Sequence, residues 1–182
     1  TVSLTTGTQK NQTYVSVGAV NARGIIQNND LDRYNFSVRN TTSMLNDKLT
    51  MDLSFMYSNV KEQNMLSQGE YANPLVPVYL FTRGDDFLKY QYYERYDVDR
   101  NIKTQFWPLK ENGLSMQNPY WITNRNMYTN KKDRFLASGS LKYTISDWLN
   151  VSGRVKLDKE TINSEKKLYA STLNVIADIS DK

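Results

Sequence analysis

The chain has 182 residues, of which 13 are tyrosines, and a formal net charge of +4. It contains no cysteine and no histidine, which excludes disulfides, thiol catalysis, zinc sites built on these ligands and histidine-based catalytic triads. Lysines and arginines are interleaved with acidic residues, so no nucleic-acid partner is predicted, and no apolar run is long enough for a membrane-spanning helix.

The first two predicted strands span residues 1–9 and 12–21 and are joined by a tight turn at Lys10 and Asn11. Alternate positions of these strands are apolar, which is the period of a strand with one apolar and one polar face. The apolar positions are Val2, Leu4, Val15, Val17 and Ala19. A loop of medium length is predicted to follow over residues 22–32, where glycine and asparagine cluster.

A long β-hairpin is predicted over residues 34–57. Asn46, Asp47 and Lys48 form its turn, since Asn and Asp tolerate left-handed backbone and hydrogen-bond to their own chain. The returning strand alternates strictly between apolar and polar side chains. Its apolar face carries Leu49, Met51, Leu53, Phe55 and Tyr57, and its polar face carries Thr50, Asp52, Ser54 and Ser58.

The insert over residues 60–133 differs in composition from the strands on either side of it. It holds all four prolines of the chain, and none of them interrupts a predicted strand. Because it is far longer than an ordinary connection, it is a functional loop or a small domain of its own. Within it, residues 86–97 combine an Asp at an N-cap position with aromatic residues at helical spacing, which predicts a short helix.

A second hairpin of the same design is predicted over residues 134–158, with its turn at Ser146, Asp147 and Trp148. The strings Leu-Asn-Asp-Lys-Leu-Thr-Met and Ile-Ser-Asp-Trp-Leu-Asn-Val align position for position across the two turns. Residues 159–182 are predicted to begin another loop, which is polar at first. Its later apolar positions are Leu173, Val175 and Ile176.

Tight turns and long loops alternate along the chain, and an up-and-down meander places all tight turns at one end. Outer-membrane barrels are built in this way. The sequence therefore predicts an all-β fold, an antiparallel up-and-down meander that is part of a large outer-membrane β-barrel. Residues 1–59 and 134–158 are its wall, residues 60–133 an extracellular loop insert with a short helix, and residues 159–182 the start of another extracellular loop. Six strands are fewer than the eight that a closed membrane barrel needs, so we expect a longer protein to supply the others.

Long and distinctive strings occur along the insert: YANPLVPVYLFTRGDDF at residues 71–87, RNIKTQFWP at 100–108 and NPYW at 118–121. The hairpins contribute LNDKLTMDLSF and SDWLNVSGRV, and KNQTYVSVGAVNARGII lies near the start. Together these strings closely resemble the SusC/RagA family of TonB-linked outer-membrane transporters of the Bacteroidetes. The resemblance covers nearly the whole chain.

The resemblance implies a wedge of a barrel of about 22 strands that is closed by an internal plug. Proteins of this family import oligosaccharides, glycans or peptides across the bacterial outer membrane. The TonB complex drives them, and a SusD-like surface lipoprotein caps the barrel. The present sequence contains no plug domain, no TonB box and no amino-terminal carboxypeptidase-like extension, so we expect no transport by this stretch alone.

Aromatic side chains of the insert are the predicted substrate-binding residues. They are Tyr79, Phe81, Trp107, Tyr120 and Trp121. In the functional interpretation they stack against sugar rings or peptide side chains at the wall of a vestibule. In the alternative interpretation they form the small core that a loop of this size needs, because aromatic rings bury a large apolar area.

Acidic residues of the insert predict no catalytic or metal site. Residues 97–101 have the opening spacing of a calcium loop, but Ile102 holds the glycine position and Pro108 the position of the bidentate glutamate. Asp85 and Asp86 could ligate a cation or pair as acid and base. A helix N-cap at Asp86 is the simpler explanation, because it needs no ligand or substrate. We therefore predict no enzyme, no metal and no cofactor.

The alternative function is a soluble or secreted β-sandwich adhesin or carbohydrate-binding module that uses the same loop aromatics. The two interpretations differ in where the apolar strand faces lie. In a barrel these side chains contact lipid, whereas in a sandwich they share a dry core between two sheets. The informative residues are Leu53, Phe55, Val151 and Val155.

Overall fold

A computed structural model describes residues 1–65, 71–108 and 116–172. The chain forms two compact units. Unit 1 comprises Thr1–Ala22, Leu31–Lys61 and Asn130–Asn163, and unit 2 comprises Arg23–Asp30, Glu62–Thr129 and Ser164–Lys182. The predicted apolar stretch around Leu173, Val175 and Ile176 lies outside the described residues.

One antiparallel sheet accounts for most of the strands, and it confirms the predicted all-β meander. Its strands are Val2–Gly7 (β1), Asn11–Arg23 (β2), Asp30–Met44 (β3), Leu49–Gln63 (β4), Met127–Ser146 (β7) and Leu149–Lys167 (β8). Within the described ranges the order across this sheet is β1-β2-β3-β4-β7-β8, so neighbours in the sheet are neighbours in the chain except at the insert. None of the helices in the described part of the chain is long and apolar enough to cross a membrane.

Tight turns join the strands of both predicted hairpins, whereas the first turn lies at residues 8–10 and not at Lys10 and Asn11, because Asn11 begins β2. Leu45, Asn46 and Asp47 adopt left-handed backbone with φ of 56°, 52° and 65°, and the Ser43 hydroxyl donates to Asp47 at 2.7 Å. The second hairpin turns within two residues, between the end of β7 and the start of β8. Gly7 ends β1 at a φ of 148°, where a Cβ would come within 2.0 Å of the Asn11 carbonyl oxygen.

The two faces of the sheet have the predicted composition. On the apolar face, the register pairs Val2 with Val17 and Leu4 with Val15. The rings of Phe36, Phe55 and Phe135 continue this face across β3, β4 and β7, with centroid separations of 6.0 and 4.9 Å. The opposite face carries cross-strand polar pairs, namely Ser16 with Ser37, Ser54 with Ser138, Arg39 with Asp52 and Arg134 with Asp158.

Nothing in unit 1 forms a dry core. In the described part of the chain, every buried large apolar side chain belongs to unit 2. The apolar sheet face is open instead, and Val155 is 77% exposed while Leu53 and Val151 are also exposed. Phe55 is half-buried between its two phenylalanine neighbours.

Three predicted strand boundaries were wrong, each because the strand is longer than its apolar pattern. The wall over residues 1–59 was predicted to end before Val60, but β4 continues to Gln63. The hairpin expected from residue 134 begins at Met127. The loop expected from residue 159 begins only after Lys167, because β8 continues through a polar stretch in which every residue is exposed. A strand that is wet on both faces lacks the alternation that marks a strand in sequence.

Unit 2 contains short elements: the helix Leu75–Tyr79 (α1), a 3₁₀ helix over Phe87–Gln91, the strands Glu94–Asp97 (β5) and Ile102–Gln105 (β6), and the helix Pro119–Arg125 (α2). The helix predicted over residues 86–97 was therefore wrong in its second half. There β5 pairs with β6, since Asp97 accepts from the amides of Asp99 and Arg100 at 3.1 Å and closes a hairpin turn with Asn101 in left-handed backbone.

Candidate functional site

The insert folds around an aromatic cluster, defined here as Phe81, Phe87, Tyr90, Phe106, Trp107 and Tyr120. Phe81 has ring centroids on three sides, with Phe87 at 5.0 Å and both Tyr90 and Trp107 at 5.6 Å. Phe87 also contacts Tyr120 at 5.9 Å, and Tyr90 contacts Phe106 at 5.1 Å. These rings are tilted or edge to face, which is the arrangement that aromatic quadrupoles favour, and each such pair contributes about 0.5–1.5 kcal/mol beyond area burial.

Asn118 fastens the start of α2 to the segments that carry the cluster. Its side-chain oxygen accepts from the amide of Tyr120 at 2.8 Å, which caps the helix, and Pro119 occupies the first helical turn. Its side-chain nitrogen donates to the carbonyl oxygens of Tyr90 and Phe106, both at 2.8 Å. Asn118 is fully buried, so these backbone groups depend on it for hydrogen bonds.

The five predicted substrate-binding residues are placed in three different environments. Phe81, Trp107 and Tyr120 meet in the aromatic cluster, where Trp107 is 5% exposed and the other two are half-buried. Trp121 is fully buried and contacts Tyr169. Tyr79 is 83% exposed at the end of α1. Core formation thus explains Trp107 and Trp121, and the substrate-binding role of the five side chains stays a prediction that Tyr79 is best placed to fulfil.

Glu94 lies at the centre of an ion-pair network in unit 2. Lys103 on β6 and Arg125 at the end of α2 both donate to its carboxylate, whose side chain is 19% exposed. Partial burial raises the pKa of Glu94, but the hydrogen bonds from Lys103 and Arg125 lower it by more, so this pKa lies below its ordinary value of 4.5. The network therefore holds the Arg125 guanidinium in place, 4.6 Å from the centre of the Tyr169 ring.

The acidic pair at residues 85 and 86 is structural in the described part of the chain. Asp86 accepts from the amide of Leu88 at 3.0 Å and caps the 3₁₀ helix, which confirms the predicted N-cap. Asp85 accepts from the Tyr90 hydroxyl at 2.7 Å and from Lys89 at 3.1 Å, and these bonds hold the pKa of Asp85 below its ordinary value. No group of three acidic, His or Cys side chains that could hold a metal occurs among the described residues.

A strap, residues 169–172, lies across unit 2 after the end of β8. The backbone amide of Gln105 donates to the Ser171 hydroxyl and its side-chain amide donates to the Ser171 carbonyl, both at 3.0 Å. The Thr172 hydroxyl accepts from the Trp121 indole at 3.3 Å and donates to Asn126 at 2.7 Å. These contacts join the strap to β6 and to α2 through buried polar groups rather than through an apolar core.

The polar face of unit 1 carries a shallow depression of about 640 Å³. Side chains of this face that border it include Thr5, Tyr14, Ser37, Arg39 and Ser54. Arg39 and Asp52 are paired there through a hydrogen bond. The polar surface of the sheet is therefore uneven, and its depression is bordered by hydrogen-bonding groups together with apolar side chains such as Met56 and Leu136.

A scan of the chain against protein-family models found no match, and a search among curated proteins found none either. The assignment of a function therefore depends on the residues of this chain and on their geometry.

Sequence reasoning missed the buried amides of unit 2. Gln105, Gln117, Asn118 and Asn126 are almost completely buried, although Asn and Gln are usually exposed. One local signal was present for Asn118, because Asn before Pro at the start of an aromatic stretch favours an N-cap with Pro at the first helical position. The other three amides bond to groups that are distant in sequence, and no local pattern marks such pairs.

Proposed function

We propose that this chain is a segment of a TonB-dependent outer-membrane nutrient importer of the SusC/RagA type. In this proposal unit 1 is barrel wall in contact with lipid of the bacterial outer membrane. Unit 2 is extracellular and faces the substrate, an oligosaccharide, glycan or peptide, together with a SusD-like surface lipoprotein. The plug of the parent protein provides the link to the TonB complex.

The observation that carries the proposal is the open apolar face of a sheet whose other face is wet. In water such a face is a liability, because contiguous exposed apolar patches are rarely larger than a few hundred Å² on monomeric soluble proteins. In a membrane it is required, because strands of outer-membrane barrels alternate lipid-facing and lumen-facing residues. The depression and the polar pairs of the opposite face suit a lumen.

The height of the apolar band also supports the proposal. In β4 and in β8 the alternating apolar positions cover about nine residues, from residue 49 to 57 and from 149 to 157. Nine residues at about 3.3 Å each span about 30 Å along the strand, or about 23 Å when the strand is tilted by about 40°. This matches the apolar band of about 25 Å on outer-membrane barrels. The polar continuation of β8 to Lys167 then extends beyond the band.

Aromatic residues lie at both limits of this band. Tyr34 and Tyr57 are exposed near one limit, and Tyr143 and Trp148 are exposed near the tight turns at the other limit. A backbone hydrogen bond of 2.8 Å from Thr144 to Lys48 fixes the level of the second group beside the turn. Two aromatic girdles of this kind are typical of membrane barrels, where amphipathic rings sit at the interfaces.

Single cysteines in β8 test the proposal, since the chain contains no natural cysteine. We would introduce V151C and V155C on the apolar face and S152C and K156C on the polar face of the full parent protein, after replacing any cysteine outside residues 1–182 by serine. Each cysteine would then be labelled with a fluorophore in native membranes. We expect a lipid-borne quencher to quench the labels at 151 and 155 at least threefold more strongly than those at 152 and 156. Equal quenching at all four positions would contradict a membrane wall.

A further inference from the structure

We propose that the part of unit 2 that the strap covers is a peptide-binding site, and that residues 169–172 occupy it as an internal ligand. The site consists of Gln105, Trp121, Arg125 and Asn126. The ligand that fits it is a peptide with an aromatic residue followed, after one spacer, by two hydroxyl residues. This inference concerns unit 2 alone and does not depend on the proposed membrane location.

The contacts of the strap define the chemistry of the ligand. The ring of Tyr169 lies edge to face with Trp121, at 5.7 Å between centroids, and beneath the Arg125 guanidinium, which Glu94 holds. A main-chain carbonyl of the strap accepts from the Gln105 side chain. Two hydroxyls then bond to the Gln105 amide and to the Trp121 indole. Recognition of a ring, a peptide carbonyl and hydroxyls at these spacings selects a peptide.

The site offers a donor that the strap does not use. The side-chain nitrogen of Asn126 is buried and has no hydrogen-bond partner among residues 1–65, 71–108 and 116–172, while the oxygen of the same amide accepts from Thr172. Buried side-chain donors are nearly always paired, so an orphan at this position marks a place for an acceptor atom. A peptide that brings an oxygen to Asn126 gains a bond that the strap lacks.

The strap is also under conformational strain. Ser171 has a φ of 84° although it is not a glycine, and it is buried. Residues other than glycine rarely adopt positive φ, and they keep this conformation only where the surrounding structure imposes it. The strain at Ser171 lowers the free energy needed to release the strap. The unused donor favours exchange of the strap for a ligand that supplies an acceptor atom.

The test compares the full chain with a strap-release variant, Y169A/T172V, both carrying W148F so that Trp107 and Trp121 are the remaining tryptophans. The probe is the acetylated, amidated peptide Leu-Tyr-Ala-Ser-Thr, and binding is followed by tryptophan fluorescence and calorimetry. We expect the peptide to bind the strap-release variant at least tenfold more tightly than the parent. Replacing the Tyr of the peptide by Ala should weaken binding at least fivefold.

Two matched variants sharpen the result. Q105L in the strap-release background should weaken peptide binding at least fivefold, because the donor to the peptide carbonyl is lost. K167A, on an exposed residue that precedes the strap, should bind the peptide as weakly as the parent does. Equal binding by the parent and the strap-release variant, or no binding by a folded strap-release variant, would overturn the proposal.

Hydrogen exchange on the unaltered chain provides a second measurement that needs no mutation. We expect the amides of residues 170–172 to exchange at least tenfold faster than those of β6 and α2, as a displaceable segment requires. Equal protection would identify the strap as part of the core and overturn the proposal. Loss of the buried-tryptophan emission in the strap-release variant would lead to the same conclusion, because the strap would then be needed for folding.

Discussion

Replacing Asn118 by Ala should unfold unit 2 at much lower denaturant concentration than replacing the other asparagine that precedes a proline and a helix, Asn73. The Asn118 side chain serves the amide of Tyr120 and two main-chain carbonyls from inside the unit. Asn73 makes one comparable bond, accepting from the amide of Leu75 at 3.0 Å, and is only half-buried. Comparing the two variants therefore separates the effect of losing a buried side chain with three hydrogen-bond partners from the effect of losing a side chain with one.

The magnitude follows from the groups left without partners. Loss of an N-cap costs about 1 kcal/mol, and each buried carbonyl left unsatisfied costs about 1–2 kcal/mol. N118A should therefore lower the free energy of unfolding of unit 2 by about 3–5 kcal/mol, and N73A by about 1 kcal/mol. With a urea dependence of about 2 kcal/mol/M, the midpoints should fall by about 2 M and about 0.5 M.

Tryptophan fluorescence measures this unit selectively. Of the three tryptophans, Trp107 and Trp121 are buried in unit 2, whereas Trp148 is 83% exposed at a turn of unit 1. A W148F background, with urea unfolding followed by emission wavelength, reports on the two buried indoles. A midpoint shift for N118A that is no larger than twice that of N73A would refute the role assigned to Asn118.

Two further predictions concern the pH dependence of the stability of unit 2 and the turn at Gly7. The pKa of Glu94 is lowered in the folded state, so its stabilising effect is present above about pH 4.5 and is lost as the pH falls through the lowered pKa. E94Q should therefore lower the urea midpoint of unit 2 at pH 6 and flatten its dependence on pH below 4.5; an unchanged profile would contradict this network. G7A should destabilise the β1–β2 hairpin by at least about 2 kcal/mol, because its Cβ meets the Asn11 carbonyl, whereas G153A, with open space around it, should change stability by less than about 0.5 kcal/mol. Hydrogen exchange of residues 2–6 measures the first effect, and equal protection in both variants would contradict it.

The sheet was predictable because its pattern is local. Alternation in residues 49–57 determines which side chains share a face, and Asn46 and Asp47 favour the turn between the strands. The same rules failed in β8 beyond residue 158, where both faces are polar. In this strand, backbone pairing extends past the end of the sequence signal.

The interior of the insert was less predictable, since its stability depends on contacts between distant residues. The pairing of β5 with β6 was hidden because the aromatic spacing of residues 86–97 also fits a helix, and the short β5 cannot show more than two periods. The hydrogen bond from the Trp121 indole goes to the strap, which lies some fifty residues further along the chain. A single sequence contains no sign of that contact.

The hydrogen bonds between Asn64 and Tyr128 close the insert at its base, and this closure affects the order in which the sheet assembles. Asn64 lies directly after β4 in left-handed backbone, its amide donates to the Tyr128 carbonyl at 2.8 Å, and its side-chain oxygen accepts from the Tyr128 amide at 2.8 Å. These bonds close a loop of about 64 residues, whose closure entropy amounts to about 3.7 kcal/mol plus a constant. We expect collapse of the insert to offset this entropy before β4 and β7 pair, so that the two hairpins, each with a short turn, form early and join late. The slow step in assembling the sheet should therefore be the folding of the insert rather than the pairing of the strands.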